Sequence, residues 1–378
     1  MRTCLLLLRP NGRRAQRIII TLLKCNVLVR IMYIDSHVHL RDFKQKHKET
    51  IQHGLEVAYD SGLDAVFDMP NTDPPVMTRD LVVDRLRIAK DANVHGVFYG
   101  LYIGLAADPE QVKKAVEVYR EFPQVIGMKL YAGHSVGNLG VVTEESQRAV
   151  YETLARDGYD GVLAVHCEKE TYLHPESWNP GKPITHCYAR PEKAEIESVE
   201  DQLRLVREIG FNGKLHIAHI SSPKAVDLVV EAKEQGVDAS CGICPHHFIY
   251  DWSQMHHGNG LLWKMNPPLR EPASRERIFQ YLKDGKINWI ETDHAPHTLE
   301  EKTKNPYMSG IPGIAWWPLF EEFLRQHNFS DKQIEELTFS NIAKRYGIDI
   351  QLSRRNIKDR RADYPFDPYK KIAEELGW

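Results

Sequence analysis

Asp35-Ser36-His37-Val38-His39-Leu40-Arg41 closes an apolar run that begins at Tyr33. Side chains alternate along a β-strand, so His37 and His39 point to one face and can hold one metal ion together. Arg41 keeps the same parity, where it can grip a substrate anion beside that ion. A His-x-His pair alone is weak evidence, because a histidine in a strand is often a satisfied structural residue. Far downstream, Thr292-Asp293-His294-Ala295-Pro296-His297 supplies a carboxylate and more imidazoles in a similar setting. The two segments together point to a metal-dependent hydrolase.

From Tyr33 onward one rhythm repeats: a short apolar run, a turn, then an amphipathic stretch. Strands are predicted over 33–40, 65–69, 96–103, 125–131, 161–166, 214–220, 239–244 and 288–292. Helical patterns fall at 50–60, 78–92, 109–121, 143–156, 194–209, 223–235, 274–283 and 317–327. Helix-start cues recur, such as Thr78 before Arg79-Asp80 and Thr143 before Glu144-Glu145. Eight such alternations predict an α/β chain folded as a (β/α)8 TIM barrel. The polar chemistry gathers at the C-terminal ends of those strands: His37 and His39, Asn71, Lys129, His166, His219, Asn266 and Asp293. In a barrel these ends converge on one mouth.

The bulk properties agree. A chain of 378 residues suits one large barrel or two ordinary domains. Its 42% hydrophobic and 27% charged content is that of a soluble globular protein. A net charge of −3 gives no basic field to recommend nucleic acid as a partner. Six cysteines are too sparse for a disulfide scaffold, which favours a reducing compartment. Cys241 and Cys244 face opposite sides of a strand, so a packing role is expected for them rather than a redox or zinc pair. No apolar run approaches the ~20 residues of a membrane helix. Residues 1–31 carry Arg2, Arg9, Arg13, Arg14, Arg17, Lys24 and Arg30 and no acidic residue. Such composition fits a transit peptide, but the simpler expectation is that they lie outside the core, with Met32 as the true start. Residues 32–347 form the expected barrel and 348–378 a charged C-terminal segment.

Four imidazoles, a carboxylate and a lysine are too many for one structural zinc, which four ligands usually close. Two cations with an anionic bridge fit better. Lys129 is discordant, since an ammonium beside two cations is repelled. A buried, charge-repelled lysine loses its proton readily, and its neutral amine can add carbon dioxide to form a bridging carbamate. The alternative is a lysine that reaches solvent or binds a substrate anion.

Five motifs, in order, resemble those of the dihydroorotases, a branch of the amidohydrolase superfamily. They are Asp35 to Arg41, Asp68-Met69-Pro70-Asn71-Thr72, Gly127-Met128-Lys129-Leu130-Tyr131, Asn266-Pro267-Pro268-Leu269-Arg270 and Asp293-His294-Ala295-Pro296-His297. The resemblance spreads over about 33–347. It implies two Zn2+ ions bridged by carboxylated Lys129 and a hydroxide. One ion would be held by His37, His39, Lys129 and Asp293, the other by Lys129, His166 and His219. It further implies reversible hydrolysis of the cyclic amide of dihydroorotate to N-carbamoyl-aspartate, in pyrimidine biosynthesis and hence in the cytoplasm. Asp293 would be the catalytic proton carrier. Arg41, Asn71 and His297 would bind the ring carboxylate, and Asn266 the ring amide. A structural ion pair with Asp42 or Asp68 competes for Arg41, and a turn role competes for Asn71.

Many relatives of this barrel carry a β-sandwich built from both termini. Too little chain flanks the barrel here, so no complete accessory sandwich is expected. The loops 134–140 and 298–312 are hypothesised lids, and the stretch 172–193, with His186 and Arg190, has no assigned role. The partner is a small molecule, with neither nucleic acid nor membrane expected and a homodimer left open. The rival readings are a related cyclic amidohydrolase, allantoinase or dihydropyrimidinase, and a non-catalytic partner of aspartate transcarbamoylase.

Overall fold

The computed structural model describes residues 32–134, 139–350 and 356–378. The expectation for residues 1–31 lies outside the described residues, as does the middle of the 134–140 loop. Eight parallel strands follow one another around one sheet in chain order. They are β1 (Ile34–Val38), β2 (Ala65–Asp68), β3 (Phe98–Gly104), β4 (Val125–Ala132), β5 (Val162–Cys167), β6 (Lys214–Ile217), β7 (Ala239–Ile243) and β8 (Trp289–Ile290). The ring closes where Val38 bridges His294 in parallel and the His39 N–H donates to the His294 carbonyl at 2.8 Å. The fold is therefore the expected barrel, and among the described residues every named strand belongs to it.

Eight longer helices alternate with the strands. They are α1 (Ile51–Asp60), α2 (Arg79–Asp91), α3 (Pro109–Glu121), α4 (Glu144–Arg156), α5 (Glu192–Ile209), α6 (Pro223–Glu234), α7 (Pro272–Lys283) and α8 (Trp317–Gln326). Thr50, Thr78 and Thr143 each accept a backbone N–H from three residues on, capping α1, α2 and α4. Such a cap stabilises a helix by about 1 kcal/mol.

Strand parity divides the core into two layers. Ala65, Phe67 and Met69 join Ile34, Tyr102, Ile126, Ala164 and Trp289 in an inner cluster. Their neighbours Val66, Leu101 and Ile103 pack into the larger cluster beneath the helices. The helix Asn341–Tyr346 floors the barrel: Ile342 joins the inner cluster, and the Tyr346 ring lies 4.9 Å from that of Phe67. The mouth at the other end stays open for polar groups.

Five strands end sooner than the sequence predicts, β1 by two residues, β2 and β7 by one, β6 by three and β8 by two. β6 stops at Ile217 and β8 at Ile290 because His219 and Asp293 adopt left-handed backbone conformations, at φ 41° and 48°. A non-glycine residue held there costs about 1–3 kcal/mol. Side-chain bonds offset that cost. The His219 N–H donates to Glu291 Oε1 at 2.6 Å, and the Thr292 N–H to Asp35 Oδ1 at 3.0 Å.

The C-terminal segment packs onto the flank beside α1 and α8. Tyr369 is buried against Phe320 and Trp316, while Arg360 and Lys358 pair with Asp60. The Tyr364 hydroxyl donates to Glu49 Oε1 at 3.0 Å, and Glu49 also meets His294 Nε2 at 2.5 Å. Burial alone would push the Glu49 carboxyl up, but His294 and His53 outweigh it and hold it at about 2. A depressed carboxylate stabilises the fold above its ordinary pKa of 4.5, and that stabilisation is lost as pH falls towards 2. Glu49→Gln is thus expected to lose about 3 kcal/mol at pH 7. Urea unfolding should show the gap to wild type closing as pH is lowered from 4.5 to 2; a gap independent of pH contradicts the assignment.

Candidate metal centre and active site

The strand ends surround a cavity of about 280 Å3. His37, His39, Asn71, His166, His219, Asn266, Asp293 and His297 all line it, as does Arg41. Lys129 lies beneath its floor, fully buried. The sequence-predicted set is thus brought together from six strand ends.

Asp293 Oδ1 stands 2.8 Å from His39 Nε2 and 3.3 Å from His37 Nε2. On the other side, His166 Nδ1 faces His219 Nε2 at 3.1 Å. The His37 ring links the two groups, with its centroid 5.2 Å from His39 and 5.1 Å from His219. Burial, followed by the cationic side chains nearby, pushes the imidazoles of His37, His39 and His219 below their ordinary range. Neutral imidazoles are the form that ligates metal.

Lys129 Nζ is buried and has no hydrogen-bond partner. The Tyr131 ring centroid lies 5.1 Å from it. Burial lowers the amine to about 8, against the opposing pull of Glu291 and Asp293. An unpartnered amine in a ring of imidazoles is costly as an ammonium. The donor set of four imidazoles, a carboxylate and this amine fits two divalent cations. His37, His39 and Asp293 could hold one, and His166 and His219 the other.

Carboxylates behind the ligands fix their orientation. His166 Nε2 donates to Glu168 Oε2 at 2.9 Å, and Glu168 is held in turn by Arg190. Burial pushes Glu168 up, but Arg190 and His166 hold it well below the usual carboxylate range. Glu291 accepts from Ser36 Oγ at 2.8 Å and from the His219 N–H, and its Oε1 lies 3.8 Å from His37 Nδ1. Buried partners of this kind set the tautomer and aim of a ligand. Glu168→Gln should weaken metal retention by roughly 10–100-fold, read by chelator competition on folded protein; unchanged affinity contradicts the role.

Sequence reading missed Glu168 and Glu291, which lie two residues after His166 and two before Asp293. Arg190, left without a role, proves to anchor Glu168. His186, likewise unassigned, donates from Nε2 towards Asn266 Oδ1 at 3.0 Å.

The anion side of the cavity is built on Arg41. Asp68, a competitor for it, is taken by Arg85 and the Tyr99 hydroxyl. Asp42, the other, accepts from the backbone N–H groups of Phe43 and Ile51. Among the described residues Arg41 forms no ion pair, and its Nε has no partner. Its Nη2 lies 3.1 Å from His297 Nε2. Asn71 Oδ1 is also buried and unpartnered. Lys48 and Lys264, both unforeseen, line the same cavity. The 298–312 loop supplies one wall, tied down where Lys302 Nζ donates to the carbonyls of Lys264 and Gly310.

No family model matches the chain. It is 31% identical over 311 residues to a dihydroorotase of Staphylococcus epidermidis, covering 80% of this chain and 69% of the relative. It is 28% identical to a dihydroorotase of Fusobacterium nucleatum, covering 85% and 74%. An allantoinase of Deinococcus radiodurans is 29% identical, with 83% and 70% covered. Among solved structures, an L-hydantoinase from Arthrobacter aurescens superposes with a TM-score of 0.72 at 21% identity, covering 83% of this chain and 70% of that one.

Proposed function

The chain belongs to the dihydroorotase family and is a hydrolase of cyclic amides, and from that premise we propose that it interconverts dihydroorotate and N-carbamoyl-aspartate. The observation that carries this choice of substrate is the unpaired, buried guanidinium of Arg41 facing the same cavity as the imidazoles and Asp293. A ring carboxylate is its natural counter-ion. The residues 32–347 form the catalytic barrel in this reading, and 348–378 an appended segment. The reaction belongs to pyrimidine biosynthesis in the cytoplasm.

His37, His39, His166, His219, Asp293 and Lys129 as its carbamate would hold two zinc ions, whose chemistry there would be to lower the pKa of a water and polarise the scissile carbonyl. Arg41 grips the ring carboxylate with two parallel hydrogen bonds, which fixes the ring's orientation as well as its charge. Asn71 and His297 add donors to the same anion, His297 being neutral because burial lowers it to about 3. Asn266 meets the ring amide. Asp293 takes the proton of the attacking water and delivers it to the departing amide nitrogen. Burial raises the Asp293 carboxyl, against the opposing pull of His37 and Lys129. In the biosynthetic direction each step reverses.

Arg41→Met should cost about 3 kcal/mol in kcat/KM for carbamoyl-aspartate, on the order of 100-fold. The guanidinium binds a group that does not react, so KM should carry most of the loss. The reading itself is tested by one turnover assay on zinc-analysed protein with carbamoyl-aspartate, allantoin and dihydrouracil in parallel. Turnover of carbamoyl-aspartate alone supports it. Preference for allantoin or dihydrouracil, whose rings carry no matching carboxylate, replaces it with an allantoinase or dihydropyrimidinase. No turnover of any of them points to a non-catalytic relative.

A further inference from the structure

Cys244, His246 and His247 form a second buried group of ligating side chains at the end of β7. One donor atom from each lies within 4.8 Å of the others. All three are almost fully buried, and none lines the active-site cavity. Each histidine has one ring nitrogen engaged outward. His247 Nε2 meets the Pro267 carbonyl at 3.0 Å, and His246 Nδ1 faces the Tyr369 hydroxyl at 3.5 Å. The other nitrogens, His246 Nε2 and His247 Nδ1, are buried with no partner. Their rings stand at 65° with centroids 4.3 Å apart.

That division of labour is the pattern of metal-ligating histidines, where an outer partner holds one nitrogen and frees the other for the ion. Packing alone does not require it, since a buried polar atom without a partner is unfavourable. We propose that Cys244, His246 and His247 supply three protein ligands of a separate site for a thiophilic cation, zinc(II) by preference. A thiolate with two imidazoles suits zinc better than a hard oxygen-seeking ion. The ion would tie the end of β7 to the 267 turn and to Tyr369 of the C-terminal segment. Binding converts the Cys244 thiol to a thiolate and releases its proton to solvent.

The thiolate separates this site from the first one, whose proposed ligands include no sulfur. Full-length protein exchanged into cobalt(II) should show a near-ultraviolet thiolate-to-cobalt charge-transfer band. Cys244→Ser should abolish that band, and Cys241→Ser should keep it. Absence of the band at saturating cobalt overturns the proposal. So does its survival in C244S or its loss in C241S. Should C244S fail to fold, zinc-edge X-ray absorption of the wild-type zinc-loaded protein decides alone. A zinc–sulfur shell at ~2.3 Å is expected, and a spectrum needing only nitrogen and oxygen contradicts the site.

Discussion

Asp293→Asn is expected to yield a folded, metal-loaded protein that turns over on the order of 1,000-fold more slowly, within the range for a lost general base. Asparagine keeps the shape of the side chain and one oxygen to face His39 and His37, which lie 2.8 and 3.3 Å from Asp293 Oδ1. It cannot take up a proton. A factor of 1,000 corresponds to about 4 kcal/mol of barrier. The loss should fall on kcat, with KM little changed, because in the proposed binding mode Arg41 holds the substrate carboxylate elsewhere. Metal content must be measured on the same preparation. Near-normal turnover with full metal would remove Asp293 from the chemistry.

Lys129→Ala should abolish turnover by a different route, through the loss of the metal itself. The amine is buried, unpartnered and lowered to about 8. As a carbamate it becomes the second anion of the centre beside Asp293. Without it, two divalent cations would face four neutral imidazoles and a single carboxylate in a low-dielectric site, and the charge imbalance is severe. Elemental analysis should find the variant depleted of at least one ion per chain relative to wild type. The barrel itself should persist, because the Lys129 side chain makes no hydrogen bond. A variant that retains both ions and its activity would show that lysine is no bridge.

Much of this architecture was legible because period and parity are local properties. Apolar runs such as 125–131 and 161–166 come within a residue or two of β4 and β5, and Thr50, Thr78 and Thr143 cap their helices as threonines before a helical pattern should. The ring of polar residues at strand ends was legible for the same reason. The local backbone at His219 and Asp293 was not. Their left-handed conformations depend on bonds from Glu291 and Asp35, whose partners are remote in sequence. Arg85, which frees Arg41 by taking Asp68, reads as one more charge on an amphipathic helix. Tyr364 meets Glu49 across 315 positions of chain, beyond any pattern of spacing. Cys244 pairs with Cys241 in a familiar sequence motif, while in space it lies in one group with donor atoms of His246 and His247.

Anomalous diffraction at the zinc edge from crystals of zinc-loaded protein tests the central geometry most directly. Two peaks are expected in the cavity, ~3.5–4 Å apart. One should touch His37, His39 and Asp293, the other His166 and His219, with electron density extending past Lys129 Nζ to both. A single peak there, or an unmodified Lys129 lying apart from two ions, would contradict a two-cation centre built on that lysine.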